Sequence, residues 1–252
     1  SAMPTRERRY DLIDTVRGIA IISMVIFHCC YDVFMVYGRD PSWYSQPAVH
    51  IWQQSICWTF ILVSGFVWAW GRSGNVKRGV MLNVWGLVIS GVTVLAMPAE
   101  AVWFGILNCI GCAVLLMLPL EPVLRRIPAA IGLVAAFALF VVFKDVQLGY
   151  LGVPGVFRLE LPDWLYDCRV LTPFGFPFPG FRSSDYFPIL PWLFLYICGY
   201  FLNRIVMAIR PLQSVARHGL APLSTVGRYS IWIYLVHQPV CMLVCILLFG
   251  YV

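Results

Sequence analysis

Seven apolar stretches punctuate the chain, near residues 12 to 36, 48 to 71, 79 to 99, 101 to 120, 127 to 143, 186 to 209 and 228 to 251. Each has the length of a membrane-crossing helix, about 17–25 residues. The pattern therefore predicts an all-α, polytopic transmembrane helix bundle of about seven spans. Breaker residues fall between the stretches, with Gly71 to Gly74 ending the second, Met97-Pro98 the third, and Pro119 with Pro122 the fourth. One long connection remains, 144 to 185. It carries Pro154, Pro162, Pro173, Pro177 and Pro179, too many for a spanning helix, together with Trp164, Tyr166, Phe174, Phe176, Phe178 and Phe181. Such a segment reads as an exterior lid or acceptor-binding loop, or as a loop docked on the interfacial aromatic belt.

Composition agrees with the pattern: 60% of the 252 residues are hydrophobic and 12% charged, at a mean hydropathy of +0.79. A soluble domain carries about a quarter charged residues. Charge then gives the bundle a direction. With the N-terminus cytoplasmic, that side holds Arg6, Arg8, Arg9, Arg72, Lys77, Arg78, Arg125, Arg126, Arg204, Arg210 and Arg217, against Arg39, Lys144, Arg158, Arg169 and Arg182 on the other. The positive-inside bias favours this orientation. It also accounts for the net charge of +6 without nucleic acid as a partner. Ser1-Ala2 before Met3 reads as a tag scar within a cytoplasmic tail, 1 to 10, and no cleavable signal peptide is expected. No internal repeat is visible, so residues 1 to 252 read as a single transmembrane domain.

The first stretch is unusual in holding Asp14, Arg17, His28 and Asp32 among apolar neighbours. Ionisable groups inside a membrane segment are rare and usually functional. On a helix, Arg17 and His28 return to within about 20° of one face and stand about 16 Å apart along the axis. Asp14 lies one turn before Arg17, and Asp32 one turn after His28. Counted from the cytoplasmic start, Arg17 is about 8 Å deep and His28 about 24 Å. Arg17 can meet an anion entering from the cytoplasm or form a structural pair with Asp14. Asp32 can fix the tautomer of His28 and leave its other nitrogen free to take a proton from an attacking amine or hydroxyl; the bland alternative is a satisfied core histidine.

Elsewhere the candidates are thinner. In the last stretch Ser230, Tyr234 and His237 share a face, and Pro239 follows Gln238. His237 and Gln238 either serve local hydrogen bonding around that proline or line the cavity of His28. Asn108 is a buried amide suited to a helix neighbour or to a substrate group. Asp185 can cap the sixth helix or hold an acceptor amine or hydroxyl. Ser64-Gly65 allows a close approach of backbone or ligand. Of nine cysteines all but Cys168 sit in apolar runs and read as packing residues, and Cys109-x-x-Cys112 has no second pair to make a zinc site. No metal is expected.

Taken in order, several motifs resemble one family. They are Asp14-x-x-Arg17-Gly, the Arg-x10-His spacing to His28, His28-x-x-x-Asp32, Phe104-Gly-Ile-Leu-x-x-Ile-Gly111, Asp185-Tyr-Phe-Pro-Ile-Leu-Pro-Trp192 and Gly227-Arg-Tyr-Ser-Ile-Trp-Ile-Tyr-Leu-Val-His237-Gln-Pro239. The set resembles bacterial relatives of the heparan-α-glucosaminide N-acetyltransferase catalytic domain, and the Arg-x10-His element is similar to that of membrane acyltransferase type 3 proteins. The resemblance implies an acyl-CoA-dependent O- or N-acyltransferase in a bacterial inner membrane. Acetyl-CoA would enter from the cytoplasm, and its acetyl group would pass to a sugar or glycan amine or hydroxyl on the outer side. His28 would be the base, oriented by Asp32, with direct attack and an acetyl-enzyme both open. Arg17, Asp14, Arg72, Arg78 and Arg228 would form the coenzyme A side. Asn108, Asp185, Tyr234, His237 and Gln238 would face the acceptor. The chain departs from the family pattern at Asn108, where a histidine is expected, and has fewer spans than larger relatives, for which a homodimer could compensate. A proton-coupled small-molecule transporter is the alternative, with Asp, Arg and His as the relay. A retinal-type photoreceptor is set aside because the only lysines are Lys77 and Lys144 at segment edges.

Overall fold

The computed structural model describes residues 10 to 251. Arg6, Arg8 and Arg9, and all of the assigned tail except Tyr10, lie outside the described residues. Ten helices are assigned among those described: α1 Asp11–Tyr31, α2 Pro47–Val67, α3 Asn75–Ala96, α4 Ile106–Leu124, α5 Ala129–Phe143, α6 Trp164–Asp167, α7 Ile189–Ala208, α8 Arg210–Arg217, α9 Ala221–Arg228 and α10 Ser230–Phe249. A hairpin, β1 Tyr150–Val153 and β2 Phe157–Glu160, lies in the long connection. Among the described residues, six stretches are long and apolar enough to cross a membrane, and one of them, Pro47–Ala96, holds both α2 and α3. The protein is thus an all-α polytopic membrane bundle, with a helix in each predicted span.

The described residues divide into two compact units, one of 10–63 with 206–251 and one of 64–205. In the first, α1 begins with Asp11 and Asp14 in its opening turn, where carboxylates complement the positive helix end. It ends by widening into a π-helical turn, Asp32–Val36, with Asp32 fully buried. Single π turns mark functional sites more often than ordinary helix does. The apolar side of α1 contributes Ile21, Met24 and Phe27 to a core shared with Trp43, Val49 and Ile56. Trp52 ties α2 to this core by donating to Ser23 Oγ at 2.8 Å.

α9, which the hydrophobic pattern does not predict, packs directly against α1. Gly18 and Gly227 make this possible. A Cβ at Gly18 would strike the Leu223 carbonyl, and one at Gly227 would strike the Asp14 carbonyl. Thr15 adds a polar tie: its hydroxyl accepts from the Leu220 N–H at 3.0 Å and donates to the Asp11 carbonyl at 2.8 Å.

In the second unit, α3 and α4 pack through small residues. A Cβ at Gly111 would meet the side chain of Asn83 and the Gly79 carbonyl, and one at Gly86 would meet Asn108. The fourth span departs from its predicted limits. Residues 101–105 are not helical, and α4 starts at Ile106 and runs through Pro119 and Pro122 to Leu124. Each proline removes one N–H, and membrane helices tolerate that loss where neighbouring groups compensate. In the connection after α5, Tyr166 donates to the Val146 carbonyl and Tyr186 to the Thr172 carbonyl. Phe178, Phe181 and Tyr186 stack edge to face, while Trp164 and Val170 stay exposed.

Candidate active site

The first unit brings together eight of the residues singled out by sequence. Toward the end of α1, the His28 ring lies 4.7 Å from the His237 ring of α10, centroid to centroid. Tyr234 also stands against His237, at 5.5 Å between ring centroids. One turn along, Asp32 accepts two hydrogen bonds from Gln238 Nε2, at 2.9 and 3.2 Å. Helix α10 continues through Pro239, so His237 and Gln238 are held on regular helix.

The partners fix the chemistry of these side chains. His237 Nδ1 is hydrogen-bonded to the Tyr234 carbonyl. A carbonyl only accepts, so the proton sits on Nδ1, and in the neutral ring Nε2 presents a lone pair. That Nε2 is buried and meets no donor among the described residues. The Gln238 amide is likewise oriented by its carboxylate partner, which leaves Oε1 as a second buried acceptor with no donor among the described residues. Two acceptors kept from water without a donor cost about 1–3 kcal/mol each. An incoming N–H or O–H group would relieve that cost.

The other end of α1 is a mixed-charge cluster. Arg17 pairs with Asp14 at 3.4 Å, and Arg228 of α9 reaches Asp11 at 3.2 Å and Asp14 at 3.6 Å. Asp14 is buried and shared by both guanidinium groups. Asp11 was not a sequence candidate, although its i, i+3 spacing from Asp14 places both carboxylates on one face.

The remaining sequence candidates belong to the second unit. Arg72 pairs with Glu121, which also accepts from the Tyr200 hydroxyl at 3.2 Å. Arg78 donates to the neutral amide oxygen of Asn75. Asn108 Nδ2 donates to the Asn83 carbonyl at 3.3 Å and to Asn83 Oδ1 at 3.2 Å, so its donor group is engaged in joining α3 to α4. Asp185 accepts from the Ile106 N–H at 3.1 Å. It therefore caps α4, not the helix that follows it in sequence. Burial pushes its carboxyl up to about 6, against the opposing pull of that hydrogen bond. Glu121 and Asn83, both missed in the sequence reading, are polar residues within apolar runs and carried a signal of their own. Among the described residues, no group of three His, Cys, Asp or Glu side chains is arranged to hold a metal ion.

Comparison with known proteins adds one match. The family model described as heparan-alpha-glucosaminide N-acetyltransferase, catalytic, covers residues 9–239. No curated protein and no solved structure matches significantly.

Proposed function

Because the chain belongs to the heparan-α-glucosaminide N-acetyltransferase catalytic family, a family of transmembrane acetyltransferases, we propose that it moves an acetyl group from cytoplasmic acetyl-CoA to a sugar or glycan amine or hydroxyl across the membrane. In this reading the membrane is a bacterial inner membrane with the N-terminus on the cytoplasmic side. The supporting observation is the histidine pair of α1 and α10, in which His237 Nε2, like Oε1 of the adjoining Gln238, is a buried acceptor with no donor among the described residues. An attacking amine or hydroxyl brings the N–H or O–H that those acceptors lack.

Each residue then has a role. The acceptor group donates a hydrogen bond to His237 Nε2 or Gln238 Oε1 and is held in place. His28 is the general base that takes the proton as the amine or hydroxyl attacks the thioester carbonyl. Asp32 holds Gln238 and so directs its amide oxygen toward the acceptor group, while its place one turn beyond His28 also suits it to orient that ring. Acetyl-CoA supplies an activated acyl group on a thiolate leaving group. The leaving thiolate regains a proton from the imidazolium, which returns His28 to its neutral form. At the cytoplasmic end, Arg17 and Arg228 bind the anionic part of the donor. Their shared carboxylates leave that cluster close to neutral, so the phosphates compete with Asp11 and Asp14 for guanidinium N–H groups. Asn108 is not part of this catalytic set, because its donor is held by Asn83.

The test is transfer of label from acetyl-CoA by purified full-length protein to a panel of amino sugars and glycans. Transfer that depends on His28 supports the reading. Failure to bind acetyl-CoA and to label any acceptor, or the protein itself, overturns it.

A further inference from the structure

Eight of the nine cysteines lie in apolar segments and read as packing residues, yet two of them meet. Cys29 Sγ of α1 and Cys241 Sγ of α10 lie 2.7 Å apart, although 212 residues separate them in sequence. Cys29 follows His28 directly, and Cys241 lies one helical turn beyond His237. The pair thus adjoins the contact between the two imidazoles. A disulfide requires the sulfurs to close to about 2.05 Å and the Cβ atoms to lie about 3.5–4.5 Å apart. The two sulfurs are already in contact across two packed helices, and only a small further approach separates them from that bond length. Cys29 is partly exposed, while Cys241 is buried. Cys29, the less enclosed by protein, is the thiol that a membrane-permeant oxidant meets first, and Cys241 is the resolving group.

We propose that Cys29 and Cys241 form an oxidisable dithiol, in which a hydroperoxide converts the pair to a disulfide that staples α1 to α10 beside the histidines. The steps balance. The Cys29 sulfur attacks the terminal peroxide oxygen and becomes a sulfenic acid, releasing an alcohol, or water when the oxidant is hydrogen peroxide. Cys241 sulfur then attacks the sulfenic sulfur, forming the S–S bond and expelling the hydroxyl as water. Two electrons and two thiol protons leave the protein, and the peroxide O–O bond is the acceptor. A dithiol reverses the change by exchange. The staple fixes the separation of two helices whose side chains form the proposed site, so its formation would couple that site to the redox state of the compartment.

Formation of the bond is testable apart from any transferase activity. Full-length protein in detergent is treated with hydrogen peroxide, denatured in SDS, alkylated, digested without reductant and analysed by mass spectrometry. The expected product is a Cys29–Cys241 linked peptide lighter by two hydrogens than its parts, enriched at least about ten-fold over a dithiothreitol-treated sample. The same treatment should leave Cys241 alkylated in Cys29→Ser, and in Cys241→Ser should leave Cys29 as a sulfenic acid, trapped by dimedone, with no linked peptide in either. The proposal fails if both cysteines of the wild type are alkylated after oxidation. It fails equally if Cys29 stops at the sulfinic acid, or if either thiol links instead to Cys30 or Cys245 at comparable yield. Ellman titration in SDS of protein oxidised while folded gives a second readout, in which wild type loses two more thiols than the Cys29→Ser/Cys241→Ser double variant.

Discussion

Two pairs of polar side chains interrupt apolar helices, His28 with His237 in the first unit and Asn83 with Asn108 in the second. They are built on opposite plans. In the asparagine pair each contact joins a donor to an acceptor, and Gly86 and Gly111 let the amides press against the facing backbone. In the histidine pair the one donor of His237 is taken by its own helix, and the lone pair beside His28 meets no donor among the described residues. A satisfied pair holds helices together; a pair left short of donors holds a place for something that brings them. The difference separates two roles that look alike in sequence, since both are buried polar groups with nitrogen and oxygen to offer.

Catalysis should break the comparison most sharply. Replacing His28 with alanine should cut acetyl transfer by about 10²–10⁴-fold, the range for loss of a general base, with the thermal unfolding midpoint near that of the wild type; equal transfer by the variant would remove His28 from the reaction. Within the first unit, Gly18→Ala should destabilise by about 1–3 kcal/mol or more, because the new methyl meets the Leu223 carbonyl of α9. Detergent-solubilised thermal unfolding measures it, and Gly91→Ala in α3, where a Cβ meets nothing within 4 Å, is the control expected to be neutral or stabilising. The asparagine pair gives the mirror experiment to the histidines. Asn108→Ala should cost about 0.5–1.5 kcal/mol for each of its two lost bonds to Asn83, whereas His237→Leu should lose transfer while keeping or gaining stability, since it removes an acceptor that is already unpaired. If His237→Leu instead unfolds the protein and Asn108→Ala does not, the contrast between the two pairs is reversed.

The smallest effect expected is a pH dependence at the cap of α4. Asp185 has its carboxyl raised from 3.8 to about 6 by burial. The folded state therefore binds the proton more tightly than the unfolded state, so the slope of unfolding free energy with pH is negative between those values. Stability from this group is fully present below 3.8, falls as pH rises toward about 6, and is level above it. Asp185→Asn retains an oxygen to accept from Ile106 and should flatten that segment of the melting-temperature profile; an unchanged slope would assign it to another group.

The spans were legible because a helix in lipid must be apolar along its whole length, and that leaves an unbroken signal in residues such as Ala129 to Phe143. Ends were less so. Pro119 and Pro122 read as a stop, but α4 passes through both, because its buried Glu121 is anchored by Arg72 and Tyr200 from distant parts of the chain. The short α9 escaped the pattern because its Gly-Arg ending reads as a loop, and its helix exists against Gly18 of α1, a residue 205 positions from Leu223. In the candidate site, the ionisable residues of α1 stood out against apolar neighbours. The hydrogen bond from Gln238 to Asp32 and the contact of Cys29 with Cys241 did not, since neither partner has a spacing that encodes the other. Such pairings are products of packing between segments more than two hundred residues apart.

The tie between Thr15 and Leu220 joins residues 205 positions apart. At a synthesis rate of about 5–20 residues per second, some 10–40 seconds pass between the emergence of the two. Through that interval the glycine face of α1, with buried Asp14 at its edge, is in the membrane before the helix that covers it has been made. A helix is thus completed by one made 205 positions later, and any chain released before α9 leaves the arginine cluster and the histidine end of α1 without their partners.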